Sequence, residues 1–352
     1  MREERPASSR SRLAVRLVAL VSLMCVVGGA AAQAGNNVLA ADMGRALGDV
    51  NSWQGLAFRL NFVFWSLAIV GTTILGVARL IGRAHGVGLR PVRGAGRWHA
   101  LRFGVGYGAT GLVFQGSTLL DQSGKAVGTA TLLSNGGGFV TAVLSLFVGQ
   151  GSRRQRLQDL VPAVIGLAGM YVAVAAGVPF SEYVNLPVGL LVGGCLLLGM
   201  LALIQRRTSD RELSQLGELT GTAKVLLSLK ISTVFAWAGA LASSLVYLAT
   251  VPSMGWITPD ADVWRTGAQL ALCYAASQLL LQAGHGFGNP GVTGPMMFWA
   301  VPFGYLLDEM RGVDAFTSER ITGTLLIALA AVVSVVLTIR RNKARGEAAA
   351  GR

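Results

Sequence analysis

The chain has 352 residues, 52% of them hydrophobic and 13% charged, with a mean hydropathy of +0.55. A soluble domain carries about 25% charged residues and a disordered chain needs low hydrophobicity, so both classes are disfavoured. The net charge of +13 fits either a nucleic-acid surface or the cytoplasmic loops of a membrane protein. The placement of the basic residues decides between them.

A membrane helix needs about 20 mostly apolar residues. In chain order, such spans are expected near 13–33, 56–78, 101–120, 127–149, 159–179, 184–205, 228–250, 266–283, 291–308 and 321–339. With a cytoplasmic N-terminus, the tails and the segments 79–102, 150–158, 206–227 and 284–290 face inward. With Arg16 and Lys230 at span ends, they hold 24 of the 30 basic residues. Arg45, Lys125, Arg265, Arg311 and Arg320 face outward, and Arg59 lies in the start of the second span. This is the positive-inside pattern. The charge is therefore mainly an orientation signal that also suits anionic lipid head groups, and nucleic-acid binding is not expected.

Residues 1–34 also read as a secretory signal, with arginines, an apolar core Leu17–Val27 and then Ala30-Ala31-Ala32-Gln33-Ala34. A retained first helix is preferred, because the spans then divide into two sets of five. The expected layout is a cytoplasmic tail at 1–12, a first five-helix repeat at 13–180, a second at 181–340 and a cytoplasmic tail at 341–352. Five is odd, so the two halves insert with opposite orientation, as in many secondary transporters. Short turns recur at matching places, Asp121–Lys125 after the third span and Gly284–Pro290 after the eighth. The fold class expected is all-α: a polytopic membrane protein of ten transmembrane helices in two inverted five-helix repeats.

Enzyme chemistry is sparsely represented. Cys25, Cys195 and Cys273 lie inside apolar runs, where lone cysteines act as small hydrophobes. His85 and His99 sit in the basic loop, and no His, Cys or carboxylate spacing suits a metal. Gly106-Tyr107-Gly108-Ala109-Thr110-Gly111 spells the dinucleotide fingerprint, but inside a hydrophobic helix rather than after a soluble strand. It reads as a small-residue packing face, as do Gly189, Gly193 and Gly194. No enzyme activity and no cofactor are expected.

Polar residues inside the spans are the better lead, because burying them is costly unless they pair or line a cavity. Gln115, Asn135, Tyr274, Gln278 and Gln282 are candidate substrate contacts, with Trp299 as an aromatic wall. Gln278 and Gln282 share one helix face. Gly136, Gly137 and Gly138 could let a helix unwind beside the site. The competing role for each polar residue is helix–helix hydrogen bonding. Charged residues are expected at the span ends, with Arg59 snorkelling. That favours a neutral, zwitterionic or amphipathic substrate over one needing a counter-ion.

Several local patterns resemble the EamA-type ten-helix members of the drug/metabolite transporter superfamily, over about residues 55–340. Ala57-Phe58-Arg59-Leu60 resembles that family's arginine at the start of the second span. Trp299–Glu309, centred on Pro302, resembles its ninth span. Gly323-Thr324-Leu325-Leu326-Ile327 resembles the start of its last span, and Val161–Val174, with Gly166 and Gly169, its fifth. Three features depart from the family: Ser134–Gly138 replaces a proline-centred stretch, Gln150 stands where a glutamate is common, and the first span lacks a tryptophan-glycine pair. The resemblance implies two five-helix repeats, both termini inside and a central substrate cavity. The expected function is small-molecule transport, as a metabolite or drug permease or exporter, across the plasma membrane (the inner membrane of a bacterial cell). A membrane-embedded enzyme and a non-transporting scaffold are the alternatives. The expected partners are a small-molecule substrate and the lipid bilayer, with a homodimer left open.

Overall fold

The computed structural model describes residues 9–48, 53–81, 87–123, 127–136, 139–140, 143–144, 153–175, 185–216, 221–287, 297–312 and 317–350. Among these the chain is helical, with no strand. The helices are α1 (Ser9–Ala46), α2 (Trp53–Leu80), α3 (Gly96–Gln122), α4 (Val127–Asn135), α5 (Arg153–Ala175), α6 (Leu186–Leu216), α7 (Gly221–Met254), α8 (Ala261–Phe287), α9 (Ala300–Met310) and α10 (Ser318–Ala350). A 3-10 turn, Met297–Trp299, leads into α9.

The helix ends follow local chemistry. Asn185 accepts the Val188 N–H at 3.0 Å and starts α6. Asp260 does the same for Val263 at 2.8 Å before α8, and Thr317 for Arg320 at 3.3 Å before α10. Each side-chain oxygen satisfies an N–H that the helix leaves free. Gly255 and Gly312 follow α7 and α9 with φ of 75° and 76°, where only glycine adopts the left-handed cap at no steric cost.

Among the described residues, four helices are long and apolar enough to cross a membrane: Trp53–Leu80, Leu186–Ser214, Val225–Met254 and Ser318–Leu337. Their outward faces are greasy. Leu325, Leu329, Val332 and Val336 form an exposed stripe on α10, as do Leu241, Leu245 and Leu248 on α7. Such stripes would drive aggregation in water but match acyl chains in a bilayer. The molecule is thus an all-helical protein of membrane type.

The helices pack chiefly as pairs: α1 on α8, α2 on α7, α3 on α6, α4 on α9 and α5 on α10. Glycines lie at the crossings. A Cβ on Gly29 of α1 would meet Leu281 of α8 at 2.7 Å, and one on Gly194 of α6 would meet Val113 of α3 at 2.7 Å. A Cβ on Gly169 of α5 would meet the Gly323 carbonyl of α10 at 2.7 Å, and Gly323 faces the Gly169 carbonyl in return. Most of these glycines let two helix backbones approach closely, as the small-residue reading expects. Gly189 is different, because it faces open space.

In the pair α4 and α9 the described helices have 9 and 11 residues, and further helical residues follow α4 at 139–140 and 143–144. The helix at the start of the expected fourth span stops at Asn135, and Gly136 is a turn. Gly137 and Gly138 lie outside the described residues, as does Lys125.

Candidate functional site

Where α2, α3, α7 and α8 meet, the interior is aromatic. Phe64 of α2 stacks on Tyr107 of α3 at 5.5 Å and meets Phe235 of α7 and Tyr274 of α8 edge-on, at 5.3 and 5.9 Å. Phe114 extends the cluster to 6.4 Å from Tyr274. The Tyr274 hydroxyl end lies against Thr110, within electrostatic reach of Arg102.

Buried cations flank this aromatic centre along α3. Arg59 of α2 is fully buried and does not snorkel. Its guanidinium donates to the Gly55 and Ala40 carbonyls at 3.3 and 3.2 Å, to the Thr118 hydroxyl, and to Gln115 Oε1 at 2.9 Å. Every acceptor is neutral, and Arg59 ties α2 to α1 and α3. Toward the other end, Arg102 is 2% exposed. It donates to the Ile231 carbonyl at 3.4 Å, and its Cζ lies 4.7 Å from the centre of the Phe235 ring. Arg102 is buried because α3 begins at Gly96 and so holds it inside the helix, on the face that also carries Gly106 and Ala109.

Ion networks join helices at the two ends of the bundle. At one end, Arg311 reaches Asp42 at 2.7 Å, Asp121 at 3.1 Å and Asp308 at 3.1 Å, and Arg45 reaches Asp121 at 2.6 Å and also pairs with Asp42. Burial acts to lower the Arg311 pKa, but the facing Asp42 and Asp121 carboxylates hold it above its ordinary value. At the other end, Glu212 of α6 is fully buried between His99 Nε2 of α3 and Lys230 Nζ of α7, each at 2.8 Å. The Val92 N–H adds a 3.4 Å bond to the same carboxylate.

The structure distributes the sequence-derived candidates over several places. Gln115 is half-buried and serves Arg59 as an acceptor. Tyr274 is buried in the aromatic centre, and Gln278 lies half-buried one turn further along α8. Trp299 ends the 3-10 turn and packs beside Val26, Leu281 and Ala331, away from Phe64 and its ring neighbours. The side chains of Asn135 and Gln282 lie outside the described residues. Sequence reasoning placed Arg102 and His99 in a loop and Lys230 at a span end. It therefore missed the buried charges Arg102, Glu212 and Lys230. The available signal was Arg102 standing i−4 from Gly106, on the face where α3 packs.

No known protein-family profile matches the sequence, and no curated protein matches it. The fold is similar to a solved structure described as the crystal structure of a protein, with a TM-score of 0.60 and 18% identity, covering 93% of this chain and 98% of that one. A likeness at this identity is one of fold.

Proposed function

We propose that the chain is a small-molecule transporter of the plasma membrane, of drug/metabolite type. In this reading ten spans form two inverted five-helix repeats that work by alternating access. The observation that carries the reading is the helix pairing. Advancing every helix number by five exchanges α1·α8 with α3·α6 and leaves α2·α7, α4·α9 and α5·α10 as they are. That invariance is expected of two repeats related by a two-fold axis in the membrane plane. The described parts of α4 and α9 also meet across the junction of the proposed halves.

The end networks suit gates. The Arg311 network joins α1 and α3 of the first half to α9 and Arg311 of the second. The Glu212 network joins α3 to α6 and α7. Access from one face requires the network at that face to open while the other holds. The Glu212 end also carries Arg97, Arg207 and Arg211, and the positive-inside rule assigns it and both termini to the cytoplasm. Gln115, Asn135, Tyr274, Gln278, Gln282 and Trp299 remain the proposed substrate contacts.

Reconstituted vesicles test this reading. A panel of small organic solutes should include at least one that moves faster than through protein-free vesicles. With Cys25, Cys195 and Cys273 replaced by alanine, cysteine pairs at 121 and 311, and at 99 and 212, are bridged by a short bifunctional reagent. Either bridge should abolish flux. Flux that survives both bridges overturns alternating access, and no flux for the whole panel favours the enzyme or scaffold reading.

A further inference from the structure

We propose that Arg102 is the anion-binding group of this pathway and that the substrate is a small organic anion with an aromatic body. The proposal rests on the transporter reading and supplies its substrate class. Among the described residues, three basic chain-type cations are almost wholly buried: Arg59, Arg102 and Lys230. Lys230 has the Glu212 carboxylate. Arg59 directs all three guanidinium nitrogens at acceptors. Among the described residues, Arg102 has one long bond of 3.4 Å, a ring face, no carboxylate within bridging distance, and a buried Nε with no hydrogen-bond partner.

A buried charge without a counter-charge is strongly unfavourable, and inside a membrane protein it marks a substrate or ion path. The Phe235 ring offsets part of that cost through the cation–π contact while leaving the fork of N–H donors short of acceptors. An anionic group would supply them, because guanidinium binds planar or tetrahedral oxyanions through paired, charge-assisted hydrogen bonds. The surroundings set the rest of the ligand. Phe235 offers a ring face beside Arg102, Phe103 and Tyr107 belong to the same aromatic cluster, and the Tyr274 hydroxyl and Thr110 offer polar atoms. Gly106, one turn along α3, lets the Phe235 ring pack closely on the helix, since a Cβ there would lie 3.0 Å from the ring. The position suits a shared site, since α3 belongs to one proposed half and α7 and α8 to the other. A cationic substrate would meet like charge. A neutral one would leave Arg102 as it is. The neutral or zwitterionic substrate expected from the sequence gives way because that expectation assumed no buried charge.

The test uses the full-length protein in detergent with three probes of similar shape: benzenesulfonate, benzenesulfonamide and phenyltrimethylammonium. Benzenesulfonate should bind at least about tenfold tighter than either, as expected when a charged group gains its hydrogen bonds. R102M should abolish that preference and, by removing an unpartnered buried charge, should melt no lower than the wild type without ligand. R102K keeps the charge but not the fork, and should keep a weakened preference for the anion. Equal binding of the three probes by the wild type, or an anion preference that survives in R102M, overturns the proposal. So does an R102M protein that melts well below the wild type while R102K retains the wild-type preference in full. If R102M does not fold, the probe series on the wild type and on R102K decides by itself. Flux of the same probes into vesicles separates the two readings. Anion binding without flux removes the transporter and keeps the site, whereas flux of all three probes at equal rates keeps the transporter and removes the anion site.

Discussion

Trp65 of α2 and Trp237 of α7 meet edge-on, with ring centroids 5.3 Å apart. Each indole donates to a hydroxyl on the other's helix: Trp65 Nε1 to Ser244 at 3.1 Å, and Trp237 Nε1 to Thr72 at 2.9 Å. Thr72 and Ser244 each stand seven residues after the tryptophan of their own helix. Asn61 reinforces the contact by accepting from Ser243 and Ser244 at 2.8 and 2.9 Å. This reciprocity sits on α2·α7, one of the three helix pairs that the proposed two-fold relation maps onto itself.

Equal bonds on either side of the proposed axis should have similar worth. W65F and W237F are each expected to lower stability by about 1 kcal/mol, the scale of one interhelical hydrogen bond. Unfolding in mixed detergent measures both. A more than twofold difference between them would show that the two sides are not equivalent.

The α5–α10 crossing leaves no room for a methyl group. G169A and G323A each place a Cβ against the opposite backbone, which cannot rotate away. Each should destabilise by about 1–3 kcal/mol, the usual effect of overpacking. G104A on α3, with nothing within 4 Å, is the control and should be neutral or slightly stabilising. Thermal melting of the purified proteins decides, and a tolerated G323A would count against this crossing.

Removing the Glu212 charge strands Lys230. E212Q should cost about 3–5 kcal/mol, because a buried cation loses its partner. The double variant E212Q/K230M should recover much of that loss, since an apolar replacement of both partners is often close to neutral. R311Q, at a network that is partly exposed, should cost less than E212Q. Melting temperatures of the four proteins test the ranking, and a K230M change that deepens the E212Q defect would refute it.

Gln115 offers a sharper separation of roles. Its Oε1 serves the buried Arg59 guanidinium, so Q115A should lower stability by about 1–3 kcal/mol whether or not substrate is present. By contrast, N135A and Q282A are expected to reduce flux with normal expression. Unchanged flux in both would remove them as substrate contacts.

Sequence alone was enough for the local architecture of this protein. Apolar runs, broken by Gly, Pro and polar clusters, mark where helices lie: a described helix overlaps each expected stretch, and four of the described helices are long and apolar enough to cross a membrane. The caps at Asn185, Asp260 and Thr317 and the greasy face Leu325, Leu329, Val332 and Val336 are equally local, because one turn or one helix face suffices to define them. Tertiary structure decided the partners. Arg102 lies in a basic run that looks solvated, and only the packing of α3 against α7 turns it inward onto Phe235. Glu212 looks like one acid in a polar connection until His99 and Lys230, from two other helices, close on it. Gln115 reads as a free polar side chain until Arg59 claims it. Hydropathy is a property of single segments. The burial of a charge depends on which distant segments meet, and no one segment encodes that.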